Sequence, residues 1–343
     1  MATEQDIAFF SEKINRILAE IGRDMVGQRD VVECTVIAII AGGNVLLEGV
    51  PGVGKTRLVR SMGQALSLPF SRIQFTPDLM PADVTGANVI EQDESGKNQL
   101  RFRKGPIFSS IILADEINRA TPKTQSALLE AMQEHTVTAG GVTYRLDEPF
   151  FVLATQNPIE QDGTYPLPEA QTDRFLFKLL VGFPTTEELA AIVHMTQATM
   201  AETAAPVITG EELLAMRAAA REIPVMEDVL MYAMRLVSAT HPELPDASEY
   251  VRTMIRFGAS PRAGQALITA AKVRALMQGR YNVSYDDINA LAYPVLRHRI
   301  KLSYAAVTAH LTEDAVIWQL IEEQSTKKQT PIEMMADMLK RKK

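Results

Sequence analysis

The sequence contains one cysteine, Cys34, and one tryptophan in 343 residues. A single cysteine cannot form an internal disulfide, which fits a reducing compartment such as the cytoplasm. Because Cys34 stands in an apolar stretch, we expect a buried structural thiol there. Only 8 Tyr and 12 Phe accompany the tryptophan, so the core must consist mainly of aliphatic side chains and Met.

Long apolar runs are absent too. The longest, at residues 36–50, is interrupted by glycines and contains Glu48, so it is too short and too polar to span a bilayer. The first residues include Glu4 and Asp6 and no basic segment, which argues against a secretory leader. These features favour a cytoplasmic protein without a transmembrane segment.

Basic residues are fewer than acidic ones, and the net charge is −7. Stable binding to nucleic acid is therefore not expected, because it normally needs a basic face.

The five histidines show no metal-ligand spacing with one another or with Cys34. The sequence also lacks a G-x-S-x-G motif, so neither a zinc centre nor a serine nucleophile of that type is predicted.

Hydrophobic periodicity predicts a first half of mixed helices and strands. Helices are expected at residues 6–21, 28–41, 57–66 and 122–134. Short apolar runs predict buried strands at residues 44–48, 110–114 and 150–154. Two hairpins are predicted as well: residues 87–90 pair with 100–103 around Ser95-Gly96, and 136–139 pair with 142–146 around Gly140-Gly141.

Strand signals end after residue 182, and the rest of the chain is helical in pattern. Capping boxes at Thr209 with Glu212 and at Ser284 with Asp287 begin two of the later helices. We therefore predict two domains with a boundary near 183–205. Residues 1–190 form an α/β core that includes N-terminal helices and the hairpins near 84–108 and 136–146, and residues 191–343 form a helical domain with a basic tail.

Residues 49–56 match the phosphate-binding pattern G-x-x-x-x-G-K-[ST]. A predicted strand precedes this loop and a predicted helix follows it, as the pattern requires. Backbone N–H groups of such a loop surround phosphate oxygens, Lys55 reaches the β and γ phosphates, and the Thr56 hydroxyl ligates Mg²⁺. The residues expected to hold ATP or ADP here are Gly49, Pro51, Gly52, Val53, Gly54, Lys55, Thr56 and Arg57.

Two acidic residues follow the predicted strand at 110–114. They stand at its carboxyl end, where open α/β sheets bind ligands. Asp115 is expected to hold Mg²⁺ together with Thr56. Glu116 is expected to orient and polarise the attacking water as a general base. With the phosphate-binding loop, this pair predicts an ATP hydrolase.

These motifs give the chain a resemblance to the MoxR family of AAA+ ATPases over residues 10–325. The stretches that carry it are 47–56, 74–86 (QFTPDLMPADVTG), 105–108, 115–120 (DEINRA), 154–158 (ATQNP), 163–175 (GTYPLPEAQTDRF) and 258–263 (GASPRA). The resemblance implies an α/β AAA+ P-loop core with a parallel sheet and inserted β-hairpins, followed by an all-α lid domain. One position departs from the family, which often has alanine where this chain has Gly54.

The resemblance assigns three further residues to ATP hydrolysis. Asn157 matches the sensor-1 position, where an amide holds the attacking water; a plain turn cap is the alternative. Arg174 matches the arginine finger that enters a neighbouring subunit's site, and a local salt bridge with Asp173 or Glu169 is the alternative. Arg262 matches sensor 2, which reaches the γ phosphate from the lid of the same subunit.

Other assignments stay open at this point. Gly27 lies in a segment, 26–28, that resembles the one along adenine, so it is counted among the nucleotide contacts. Arg119 fits either a contact with an adjacent subunit or a surface ion pair. A solvated or interface location is expected for residues 297–299 (Arg-His-Arg). The hairpins resemble insertions that face a central channel in related AAA+ proteins, and simple edge decorations are the alternative.

An arginine finger that acts in trans implies a ring, most simply a hexamer, with ATP at each subunit boundary. MoxR-like ATPases are similar to chaperones that act with von Willebrand factor A domain proteins and are implicated in maturing client enzymes. The resemblance therefore implies an ATP-driven remodelling machine, and no residue names its client. The alternatives are a chelatase-type motor for metal insertion into a tetrapyrrole and an ATP-gated scaffold without significant turnover.

Overall fold

The structure is a computed structural model that describes residues 4–50, 52–92, 98–158, 163–197 and 204–326. The chain divides into two compact units, one of residues 1–224 with 269–283 and the other of residues 225–268 with 284–343. The first unit thus contains the predicted α/β core and also residues 191–224 and 269–283, which were predicted to belong to the helical domain. The predicted turn at 95–96 and the whole basic tail, residues 327–343, lie outside the described residues. Within these ranges no helix combines the length and apolarity needed to cross a membrane.

The first unit begins with two helices and continues as alternating strands and helices. Its strands are β1 (Val45–Gly49), β2 (Phe70–Gln74), β3 (Gly86–Gln92), β4 (Asn98–Lys104), β5 (Ile111–Asp115), β6 (Thr136–Ala139), β7 (Val142–Arg145), β8 (Phe151–Gln156) and β9 (Phe177–Val181). Its helices are α1 (Glu4–Asp24), α2 (Arg29–Ala41), α3 (Lys55–Ala65), α4 (Pro81–Thr85), α5 (Pro122–Glu134), α6 (Glu169–Thr172), α7 (Thr186–Gln197) and α8 (Gly210–Glu222). Short 3₁₀ turns occupy Pro106–Phe108 and Ile117–Arg119.

Five parallel strands form the central sheet in the order β2-β5-β8-β1-β9. The inner strands β1, β5 and β8 are buried apolar runs, as expected for strands covered on both faces. The predicted strands at 44–48, 110–114 and 150–154 are confirmed. The edge strands β2 and β9 were not predicted; in β2 only Ile73 is buried, so its apolar signal is weak. This order brings the carboxyl ends of β1, β8 and β5 next to one another.

The two predicted hairpins are confirmed, and they pack against each other. Antiparallel β3 and β4 form the first hairpin, and β6 and β7 form the second. The ring of Phe102 on β4 stacks on Tyr144 of β7 with centroids 4.3 Å apart, and Phe108 meets both rings edge-on. The side chain of Asn88 on β3 lies close against Gly140 in the turn of the second hairpin. The two insertions therefore share one aromatic cluster.

The second unit is mainly helical. Its elements are α9 (Glu227–Ser238), α10 (Glu249–Met254), β10 (Ile255–Phe257), the first part of α11 (Pro261–Met277), α12 (Tyr285–Leu296), β11 (Lys301–Leu302), α13 (Tyr304–Thr308) and α14 (Glu313–Thr326). The predicted capping boxes at Thr209 and Ser284 are both present. A short antiparallel pair, β10 with β11, was not predicted, because two or three residues are too few to show a period of two.

Two predicted environments are wrong. Cys34 is only partly buried, because it lies on α2 between the deeply buried positions of that helix. The Arg-His-Arg cluster is not solvated, because His298 and Arg299 are buried and Arg297 is partly buried; the interface alternative stays a prediction. Arg297 makes two hydrogen bonds of 2.7 Å to Asp314, and Arg299 donates to the Val295 carbonyl at 2.6 Å. The carboxylate partner comes from α14, which local sequence patterns could not reveal.

Candidate active site

The phosphate-binding loop joins β1 to α3. Gly52 and Gly54 both have φ of +83°, a left-handed conformation that glycine adopts without strain. Gly54 caps the N-terminus of α3, so the loop leads directly to the positive end of that helix. An alanine at Gly54 would meet nothing closer than the Met25 Cε at 3.6 Å, so its cost would be backbone strain and no clash. Pro51 lies outside the described residues.

The Lys55 ammonium lies over the loop and donates to the Gly49 carbonyl at 2.7 Å. Burial lowers the pKa of Lys55, and the charges of Asp115 and Glu116 raise it, with burial the larger effect. The lysine is therefore close to both acidic residues and partly removed from water. A partly dehydrated ammonium at this position is suited to pair with phosphate oxygens.

Thr155 connects the two acidic residues at the carboxyl ends of β5 and β8. Its Oγ1 donates to Asp115 Oδ1 at 2.7 Å and accepts from the Glu116 N–H at 2.9 Å. Glu116 has a left-handed φ of +55°, so this hydrogen bond fixes an unusual backbone conformation. Asn157 follows two residues later and is 5% exposed. The sequence assigned no role to Thr155.

Each carboxylate also has a cationic partner. Arg72 on β2 contacts Asp115 Oδ2 through Nη2 at 2.6 Å and Nε at 3.2 Å. Arg119 contacts Glu116 Oε2 at 2.9 Å, and Gln74 donates to the same oxygen at 3.0 Å. For Arg119 the structure thus contains an ion pair with the predicted general base. Arg72 and Gln74 were missed because β2 was not recognised; their alternation around buried Ile73 was the available signal.

Arg174 lies beside helix α5. Its Nη1 donates to the Leu129 carbonyl at 3.1 Å, while its buried Nε has no hydrogen-bond partner in the described part of the chain. The side chain lines a surface cavity of about 240 Å³ together with Glu130, Glu134 and Gln171. An arginine with a buried, unused donor is costly for stability, which is typical of a group kept for function.

Two residues that were predicted to contact nucleotide lie against acidic side chains of the same chain. Arg57 makes an ion pair of 2.8 Å with buried Asp24 at the end of α1. Gly27 has φ of +68°, a conformation strained for other residues, and it lies against the Glu188 carboxylate. Both roles in nucleotide binding stay predictions. So does the sensor role of Arg262, which begins α11 in the second unit.

Comparison with known proteins agrees with this geometry. Residues 44–177 match the ATPase family associated with various cellular activities (AAA), and residues 247–319 match the AAA lid domain. The chain is 42% identical to Chaperone MoxR1 of Mycobacterium tuberculosis, over 90% of this chain and 81% of that protein. It is 32% identical to Protein MoxR of Paracoccus denitrificans, over 82% of this chain and 86% of that one.

A solved structure from Cytophaga hutchinsonii, provisionally designated an ATPase, resembles the fold with a TM-score of 0.87 and 39% identity. The likeness covers 93% of this chain and 96% of that chain. Both the sequence relatives and this structure extend across the α/β core and the helical region. The chain therefore belongs to the MoxR family of AAA+ ATPases.

Proposed function

We propose that the protein hydrolyses ATP with Mg²⁺ at the carboxyl ends of β1, β5 and β8 and uses the cycle to remodel a client protein. The observation that carries this proposal is the convergence of Lys55, Asp115 and Glu116, with Thr155 bonded to both acidic residues. A loop that only bound phosphate would need the lysine but neither carboxylate.

The donor set fits Mg²⁺. Mg²⁺ prefers oxygen ligands and is usually held by one or two protein groups together with substrate phosphates and water. The Thr56 hydroxyl and an Asp115 carboxylate oxygen are donors of that kind. When bound, Mg²⁺ would neutralise charge on the β and γ phosphates. Gly52 and Gly54, both with left-handed φ, add backbone N–H groups without side chains of their own to this cradle.

Glu116 is the residue we assign as general base. Its backbone is fixed by Thr155, so its carboxylate is directed from the end of β5 towards the space beside Lys55. Asn157, at the end of the neighbouring strand β8, is assigned to hold the water that Glu116 activates. Among the described residues, Arg119 and Gln74 both contact Oε2 of Glu116, so Oε1 is the oxygen assigned to this water.

The site is proposed to be completed by a second copy of the chain in a ring, most simply a hexamer. Arg174 would stabilise the transition state of the neighbouring subunit. Its buried Nε has no hydrogen-bond partner among the described residues, which supports a role outside its own subunit. Membership of the AAA+ family also favours oligomeric assembly. Arg262 is proposed to report the γ phosphate to the lid of its own subunit.

Remodelling is proposed from the relative named as a chaperone, Chaperone MoxR1. A von Willebrand factor A domain protein is the partner that the family resemblance favours. The packed hairpins β3–β4 and β6–β7 are the elements through which the cycle would act on a client. Their exposed apolar side chains include Ile90, Leu100 and Val142.

The test is Glu116→Gln, with Glu211→Gln as the matched control at an exposed position on α8. We expect Glu116→Gln to retain ATP binding and to lose phosphate release by about a hundredfold or more, while the control stays active. Equal turnover in Glu116→Gln and the wild type would refute the assignment. An inactive wild type that binds ATP would favour a scaffold. In ATP but not in ADP, Glu116→Gln should retain partner and client in a pull-down.

A further inference from the structure

Arg72 lies on the edge strand β2 in register with β5. Arg72 pairs with Leu113 and Gln74 pairs with Asp115 across the two strands. Since side chains alternate along a strand, Arg72 and Gln74 share one face of the sheet, and Ile73 is buried on the other. Arg72 therefore extends along its own strand towards the carboxyl end, where Asp115 stands.

Arg72 makes a two-point contact with Asp115, in which two of its N–H groups donate to the carboxylate. Nη2 and Nε of Arg72 lie 2.6 Å and 3.2 Å from the same oxygen, Oδ2. Gln74 orients the guanidinium, because its Oε1 accepts from Nη2 at 2.7 Å. The other carboxylate oxygen, Oδ1, accepts from Thr155. Both oxygens of the predicted metal ligand are thus already engaged by the protein.

From this arrangement we propose that Arg72 is an internal counter-cation that competes with the divalent cation for Asp115. The inference rests on the proposed function, in which Asp115 holds Mg²⁺. A cation that uses Oδ2 must displace the guanidinium, and one nearby is repelled by it, since arginine keeps its charge at every accessible pH. The arrangement lowers the affinity for the cation without changing the ligand set.

Exposure sets how strong the competition is. The Arg72 side chain is 47% exposed and that of Asp115 is 16% exposed. A guanidinium this accessible regains hydration when it leaves, so its hold on the carboxylate is weak enough to be broken. Arg72 therefore works as a reversible occupant of the carboxylate, which is released when the cation arrives with nucleotide.

The test measures how much Mg²⁺ strengthens the binding of a fluorescent ADP analogue, as the ratio of its Kd in EDTA to its Kd in Mg²⁺. In Arg72→Met this ratio should rise roughly threefold or more over the wild type. A purely structural role of Arg72 would weaken both affinities together and leave the ratio unchanged. Arg101→Met removes the same charge from an exposed hairpin position and should not alter the ratio.

Arg72→Lys is the second variant. It keeps the charge but cannot make the two-point contact, so its ratio should lie between those of the wild type and Arg72→Met. A ratio at or below the wild-type value in Arg72→Met, or in Arg72→Lys if the methionine variant does not fold, overturns the proposal. Asp115→Asn tests the proposed function separately: a wild-type ratio in that variant would mean that Asp115 is not the cation ligand.

Discussion

The hydroxyl of Thr155 donates to Asp115 Oδ1 at 2.7 Å, from the strand next to the one that ends in Asp115. The Thr155 hydroxyl oxygen in turn accepts the N–H of Glu116, so one fully buried side chain fixes both acidic residues. Thr155 is therefore a positioning residue that the active-site geometry requires although it is assigned no contact with nucleotide.

Thr155→Val should keep the shape of the site but remove both hydrogen bonds. An orphaned N–H and a lost carboxylate donor cost roughly 1–3 kcal/mol, so we expect ATP turnover to fall about tenfold or more. Steady-state phosphate release measures this. Thr155→Ser restores the hydroxyl and should restore most of the rate; if serine were no better than valine, the hydroxyl would not be what matters.

Arg174 allows a test of whether sites are shared between subunits. Arg174→Ala keeps Glu116, and Glu116→Gln keeps Arg174, so each variant alone should be nearly inactive. When the two are mixed and allowed to exchange subunits, some boundaries combine an intact Glu116 with an intact Arg174, and part of the ATPase activity should return. A mixture of Glu116→Gln with the double variant lacks such boundaries and should stay inactive. A first mixture that also stays inactive would argue against a finger in trans.

The lowered pKa of Lys55 leads us to expect that the protein takes up protons when it binds ATP at alkaline pH. Burial holds the pKa of Lys55 below its ordinary value, whereas nearby phosphates favour the charged form and raise it. As the pH rises through the pKa of the free protein, ATP affinity should fall and each binding event should take up protons. Calorimetry in two buffers with different ionisation enthalpies measures this uptake.

The matched control for Lys55 is Lys272→Met. The pKa of Lys272 is also lowered by burial, and its ammonium donates to the Arg221 carbonyl. Removing it should leave the proton uptake unchanged, whereas Lys55→Arg, which keeps its charge, should abolish the uptake. Uptake that persists in Lys55→Arg would assign it to another group.

Arg217 should be a large contributor to the stability of the first unit. Its side chain is 11% exposed, and its guanidinium binds Glu148 at 3.0 Å and donates to the Ile39 and Ile40 carbonyls at the end of α2. Arg217→Met should lower the free energy of unfolding by about 2–3 kcal/mol, because these acceptors lose a charged donor. Urea unfolding measures the change, and Arg29→Met, at an exposed position on the same α2, should have little effect.

The loss of unfolding free energy in Arg217→Met should depend on pH in a definite direction. Burial raises the pKa of Glu148, but the hydrogen bond from Arg217, the charges of His135 and Arg217 and the Phe150 N–H outweigh it, so the net pKa is lowered. A carboxylate with a lowered pKa stabilises the fold above its ordinary pKa, and that contribution is lost as the pH falls through the folded value. The deficit of Arg217→Met should therefore be largest near neutral pH and shrink in acid. A deficit that grew in acid would contradict this role of Glu148.

Local patterns predicted what depends on local chemistry. The loop before Lys55, the helix Pro122–Glu134 and both hairpins follow from glycine placement and residue periodicity, and all are confirmed. The edge strand β2 was missed, and with it the contact of Arg72 with Asp115. That contact exists because β2 lies next to β5, and strand order is a property of the whole sheet that no short segment encodes.

The same reason explains why two arginine contacts were not predicted. A cluster such as Arg297 with Arg299 looks solvated until the distant Asp314 is known to lie against it. The contact of the Arg57 guanidinium with Asp24, 33 positions earlier in the chain, was not predicted either, and the nucleotide contact of Arg57 stays a prediction. In each case the partner is remote in sequence, and charge pairing across that distance is visible only once the chain is folded.

The stacking of Phe102 on Tyr144 has a mechanical consequence. Helix α5, which carries the Leu129 carbonyl bound by Arg174, continues through His135 directly into β6 of the second hairpin. Because the aromatic stack joins that hairpin to the first, a tilt of α5 would swing both insertions as one stiff lever arm. In the proposed ring, a small displacement of α5 would thereby become a larger movement of both hairpins.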